Sequence, residues 1–179
     1  MHGIIFAELK KYVDARLGPD AWRALVQQAQ VSTRMYLPLR SYPDEDAVKL
    51  VSTASAITGL PAADLLEDFG LFIAPDLIGL YRALVKPEWR TLDFLENTES
   101  TIHRVVRIQN PEAAPPEIRC TRTAPDRVTI LYSSARRMCP VARGIVKGVA
   151  THYGEGVQIT EPRCMLRGDA ECEIHVQLA

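Results

Sequence analysis

The feature that most constrains this chain is a single change of period near Asn110-Pro111. Upstream, apolar residues return every three or four positions, as on helices that bury one face. Downstream they alternate, as on strands that bury one side. Helices gathered at one end and strands at the other imply an α+β architecture. The helical part is punctuated by prolines and glycines. Leu9, Tyr12, Val13 and Leu17 form one stripe ending at Gly18-Pro19, and Trp22, Leu25 and Val26 form a shorter one that starts behind Pro19 and Asp20. Pro43-Asp44-Glu45-Asp46 opens a third helix, with acidic residues at its positive end and Ala47, Leu50, Val51, Ala54 and Ile57 facing inward. Leu60-Pro61 starts a fourth, carrying Leu65, Leu66, Phe69 and Phe72. Pro75 is expected to end it ahead of a short segment from Leu77 to Val85, and Lys86-Pro87 to precede one long helix from about Thr91 to Ile108.

After the switch, strands are expected at 117–123 and 127–133, a helix at 137–153 with Val141, Ile145, Val149 and Tyr153 on one side, and strands at 156–162 and 171–178 joined through Arg167-Gly168-Asp169. The sequence thus predicts one domain over 1–179. A helical N-terminal lobe covers about 1–85, and a second lobe, about 86–179, holds a small antiparallel sheet with one packed helix.

Charge excludes one class of partner. Lys and Arg number 21 against 22 Asp and Glu, a formal net charge of −1, whereas a nucleic-acid binder needs a basic surplus to displace counterions. No uninterrupted apolar run approaches the ~18 residues of a membrane span. The start Met1-His2-Gly3-Ile4-Ile5 lacks the cationic lead of a secretory signal, so a cytoplasmic location is expected. In that setting Cys120, Cys139, Cys164 and Cys172 are expected to be thiols or metal ligands rather than disulfides.

Two patterns carry chemistry. His103 lies within the predicted long helix, on the shoulder of the stripe of Leu92, Leu95, Ile102 and Val106. A neutral imidazole on a rigid helix is a good axial donor to a metal or haem iron. Tyr132-Ser133-Ser134-Ala135-Arg136 places two hydroxyls and a guanidinium where a strand gives way to a helix. The guanidinium fork holds carboxylates through parallel hydrogen bonds, so a ligand with two carboxylates on an apolar body suits it. Haem, with its propionates, is such a ligand.

The opening Met1-His2-Gly3-Ile4-Ile5, the helical His103, the Pro115-Pro116 pair and the Tyr132/Ser134/Arg136 signature, in this order and spacing, resemble the H-NOX family of haem nitric-oxide/oxygen-binding domains, related to the sensor domain of soluble guanylate cyclase. The resemblance implies haem b between the lobes, His103 as axial ligand, and Tyr132, Ser134 and Arg136 on the propionates. Pro116 would press on the porphyrin, and Ile5, Leu9, Ile73, Leu77, Val141 and Ile145 would line the distal side. Oxygen-holding members place a tyrosine where this chain has Val141, supported by a tryptophan where it has Leu9. The resemblance therefore implies a sensor of NO that also binds CO and excludes O2, and that signals as the Fe–His103 bond weakens. With no kinase, cyclase or phosphodiesterase segment in this sequence, it implies regulation of a histidine kinase or a cyclic-di-GMP enzyme in trans, not catalysis.

The cysteines open a second reading, a zinc or thiol redox sensor acting independently of haem. Cys139 follows the signature, and Cys164 and Cys172 flank Met165–Glu171. Some relatives that this region resembles bind zinc through cysteines here, but this chain has Glu161 where they carry a fourth. Glu161, His175 or Cys120 could complete a tetrahedral set. An enzyme with Cys139 as nucleophile and His152 or His103 as base lacks an orienting third group. A haem-free binding module is the remaining reading.

Overall fold

The computed structural model describes residues 1–179 apart from Arg34 and Ala113. The N-terminal part is built from α1 (Gly3–Leu17), α2 (Ala21–Gln28), α3 (Asp44–Thr58) and α4 (Ala62–Leu80). Their apolar stripes meet in a core of Phe6, Leu9, Tyr12, Trp22, Leu25, Leu50, Phe69 and Ile73. Tyr36 stacks on Phe6 with ring centroids 4.1 Å apart. The first residues are woven into this core. The Met1 ammonium bonds the Tyr42 carbonyl at 2.6 Å and pairs with Asp44 at 2.7 Å, and Gly3 N–H reaches the Arg40 carbonyl at 2.7 Å. Ile57 is 49% exposed, not inward-facing, because it sits in the last turn of α3, beyond the part that packs on α2 and α4.

Pro75 does not end a helix. α4 runs through it to Leu80, and a single 3-10 turn at Arg82–Leu84 follows. Proline has no N–H to give the carbonyl four residues back, here that of Leu71. That carbonyl lies against α7 (Cys139–His152), where a Cβ on Gly148 would come within 2.9 Å of it. Packing on α7 keeps the helix going where local propensity would stop it.

The predicted long helix is three pieces: α5 (Thr91–Asn97), a π-turn at Glu99–His103 and α6 (Arg104–Gln109). The N–H groups of Ile102 and His103 both reach the Thr98 carbonyl at 3.0 Å, so one extra residue is looped into the turn. Asn97, Thr98 and Thr101 bond carbonyls four residues back with their side chains, competing with the regular ladder.

β1 (Glu117–Ala124), β2 (Arg127–Ser133), β3 (Val157–Arg163) and β4 (Cys172–Leu178) form one antiparallel sheet in the order β1-β2-β4-β3. The register places Ile130 opposite Ile174 and Tyr132 opposite Cys172. Val128, Ile130, Tyr132, Cys172, Ile174 and Val176 therefore share the buried face, on which Leu92, Leu95 and Val146 pack. The fold is α+β. None of the described helices is long and apolar enough to cross a membrane.

The parts join most closely where α4 crosses α7. A Cβ on Gly144 would stand 2.0 Å from the Glu67 carbonyl oxygen, and one on Gly70 would stand 2.2 Å from that of Val141. No side chain fits at either point, so two backbones touch there.

Candidate functional site

A cavity of about 270 Å³ opens between the helical part and the sheet part. Every residue that the sequence nominated for a haem pocket lines it: Ile5 and Leu9 from α1, Ile73 and Leu77 from α4, Val141 and Ile145 from α7, Pro116 ahead of β1, His103, and the trio Tyr132, Ser134 and Arg136. Residues scattered from 5 to 145 thus line one cavity, to which α1, α4 and α7 contribute Ile5, Leu9, Ile73, Leu77, Val141 and Ile145.

His103 stands in the π-turn, mostly buried. Its Nδ1 lies 2.9 Å from Glu99 Oε2, which leaves Nε2 as the ring nitrogen available to a ligand. Burial holds the imidazole below its usual pKa and outweighs the pull of the Glu99 carboxylate, so the ring is neutral and donor-competent at neutral pH. Glu99 also pairs with Arg107 at 2.7 Å and accepts the Ile118 N–H at 3.3 Å. The sequence reading missed Glu99. Its spacing, four residues before a helical histidine, was the available signal.

At the rim, Arg136 Nε donates to Asp44 Oδ1 at 2.8 Å and its Nη1 to the Ala114 carbonyl at 2.5 Å. Asp44, another residue not singled out from the sequence, thereby joins the start of α3 and the Met1 ammonium to the signature arginine. Arg136 Nη2 has no hydrogen-bond partner among the described residues. Burial pushes the Tyr132 hydroxyl up to about 12, so it stays a donor. An imidazole in an apolar wall, with hydroxyls and a guanidinium at one end, fits a flat apolar group bearing carboxylates and a metal.

Cys139, Cys164 and Cys172 also come together, although they lie on α7, after β3 and on β4. Cys139 Sγ is 3.5 Å from Cys164 Sγ, and Cys172 Sγ is 3.9 Å from Cys164 Sγ. Of the fourth partners left open by the sequence, Glu161 joins them: one carboxylate oxygen and the three sulfurs all lie within 4.8 Å of one another. Cys120 and His175 lie outside this group. Glu161 Oε2 takes an Arg143 N–H at 2.8 Å, while its buried Oε1 has no hydrogen-bond partner. Burial, then the neighbouring thiol of Cys164, pushes the Cys139 thiol well above its usual pKa, and burial raises that of Cys172. Such thiols are poor nucleophiles, and no histidine joins Cys139 in the group, which disfavours the Cys–His enzyme reading.

This arrangement defines the class, a helical-and-sheet domain with an apolar cavity between its two parts and a buried histidine in the cavity lining. The Haem-NO-binding family matches residues 2–161, and the chain belongs to that family of haem-based gas sensors. Its backbone is similar to that of an H-NOX protein from S. oneidensis solved in the Fe(II)NO ligation state, with a TM-score of 0.93 and 26% identity over 100% of this chain and 99% of that one. A Shewanella oneidensis H-NOX domain in the Fe(II)CO state gives a TM-score of 0.89 at 26% identity, covering 100% and 99%. The soluble guanylate cyclase gcy-35 of Caenorhabditis elegans is 24% identical over 157 residues, 84% of this chain. The chain spans 22% of the length of that relative.

Proposed function

We propose that this chain is a nitric-oxide sensor that excludes O2 and regulates a signalling enzyme in trans, either a histidine kinase or a cyclic-di-GMP enzyme. The observation that carries the reading is the polarity of the cavity. The wall made by Ile5, Leu9, Ile73, Leu77 and Val141 offers no hydroxyl. Tyr81 also lines the cavity, in a cluster with Ile78, Trp89, Phe94 and Ile102, and Ile145 joins that cluster to the one that holds Ile5, Leu77 and Val141; the hydroxyl-free stretch is the wall around Val141. Oxygen bound to ferrous iron becomes partly anionic and needs a donor; NO does not. Haem would be held by His103, with Tyr132, Ser134 and Arg136 on its propionates, and would supply the iron at which NO and CO bind. The protein's part is to exclude water with the aliphatic wall and to present the His103 imidazole from the segment between α5 and α6, whose position the occupancy of the iron would bias.

An anaerobic absorption spectrum of the reduced, haem-loaded protein tests this. A histidine-ligated band should shift with NO, and a separate reduced sample in air should give no stable oxy-complex. A persistent oxy-complex would defeat the exclusion of O2.

A second reading is favoured by the Cys139, Glu161, Cys164 and Cys172 group. Three sulfurs and one carboxylate oxygen within 4.8 Å of one another match a tetrahedral zinc set. Zinc there would hold the thiolates, and thiol oxidation would release it, giving a redox signal independent of haem. Metal analysis after removal of haem should find about one zinc per chain, and Cys164→Ser should abolish it. Retention of zinc by Cys164→Ser, or its absence from the parent chain, would sink this reading.

A further inference from the structure

The geometry points to Glu99 as a positioning residue that sets how firmly His103 holds iron, with Arg107 as a brake on it. The inference rests on the reading of His103 as the axial ligand. Glu99 Oε2 lies 2.9 Å from His103 Nδ1, so a neutral imidazole donates its Nδ1 proton to a carboxylate. Partial withdrawal of that proton makes the ring more imidazolate-like and Nε2 a stronger donor, and a carboxylate behind a ligating histidine also fixes the tautomer and the ring plane. The other oxygen, Oε1, pairs with Arg107 at 2.7 Å. A carboxylate that shares its charge with a guanidinium pulls less on the imidazole proton, so the two contacts oppose each other at the ligand.

The π-turn makes this possible. Glu99, His103 and Arg107 are spaced four apart, and the extra residue looped in at Thr98 sets the phase at which their side chains meet. The Ile118 N–H also bonds Glu99 Oε2, at 3.3 Å, which ties the carboxylate to the start of β1 two residues after Pro116.

The test compares Glu99→Gln with Arg107→Gln in the haem-loaded protein, reading the iron–histidine stretch by resonance Raman and the rate at which NO displaces His103. Glu99→Gln keeps an acceptor of the same shape without the charge. It should lower the stretching frequency and speed displacement by ~10-fold or more, in line with the effect of losing a partner behind a metal-bound histidine. Arg107→Gln should do the opposite, raising the frequency and slowing displacement. Melting of the haem-free variants, expected near that of the parent, checks the fold separately. Shifts of both variants in the same direction, or no shift in either, would overturn the role given to Glu99. Absence of an iron–histidine band in the parent protein would instead strike at His103 itself.

Discussion

His103→Gly is expected to remove the whole iron–histidine signal from the reduced, haem-loaded protein, and added imidazole is expected to restore it. Nε2 of His103 is the ring nitrogen left for iron once Nδ1 has engaged Glu99, and no other histidine shares the aliphatic and proline walls except His2, at the N-terminal edge, where Asn110 Nδ2 lies 2.5 Å from its Nε2. The substitution opens an imidazole-sized space next to a carboxylate already placed to receive an imidazole N–H. Free imidazole should therefore bind in the orientation of the lost ring. The backbone cost is modest, about 1 kcal/mol for glycine inside a helix, so the loss reads out ligation rather than unfolding. Absorption and resonance Raman spectra with and without imidazole decide the matter. An unchanged histidine-type spectrum without imidazole would remove His103 from the site.

The largest effect on stability is expected from Gly144→Ala. The added Cβ would lie 2.0 Å from the Glu67 carbonyl oxygen and 2.8 Å from the Leu71 nitrogen, both backbone atoms that cannot swing aside. Overpacking of this kind costs ~3 kcal/mol or more, which for a domain of this size lowers the melting temperature by roughly 6–12 °C. Gly79→Ala is the control, because a Cβ there meets nothing within 4 Å. It lies in α4 and should gain slightly from the helix propensity of alanine. Calorimetry of the two variants side by side separates the effect of contact from that of composition.

Much of the fold was legible because its two periods are segregated in the chain. The switch near 110 falls between α6 and β1, and the strands and α7 lie within a residue or two of where alternation and helical spacing place them. What local pattern could not reveal was decided by contacts between distant segments. Pro75 reads as a stop until α7 is known to receive the Leu71 carbonyl. The π-turn is foreshadowed only by Asn97-Thr98-Glu99-Ser100-Thr101, a run of residues whose side chains compete for backbone bonds. Among the site residues, His103 and the Tyr132/Ser134/Arg136 trio stood out by type and spacing. Glu99 and Asp44 did not, since one looks like any acidic residue on a helix and the other like any acidic residue at a helix start until its partner is located. The choice of Glu161 over His175 and Cys120 likewise depended on strand order. β3 is an edge strand beside β4, which brings the end of β3 next to Cys172 and α7.

The α4–α7 crossing also governs what kind of motion the molecule can make. Carbonyls seated against glycines on both helices leave no room to slide, and the Glu67 carboxylate is held by Arg143 and Lys147 across the same seam. The two lobes are therefore hung like a door on a pin. A change of their relative position that keeps this seam intact is a rotation about its line. The Met1 ammonium, Asp44 and Arg136 form a second tie between the same parts, so such a rotation would have to carry that contact along or break it.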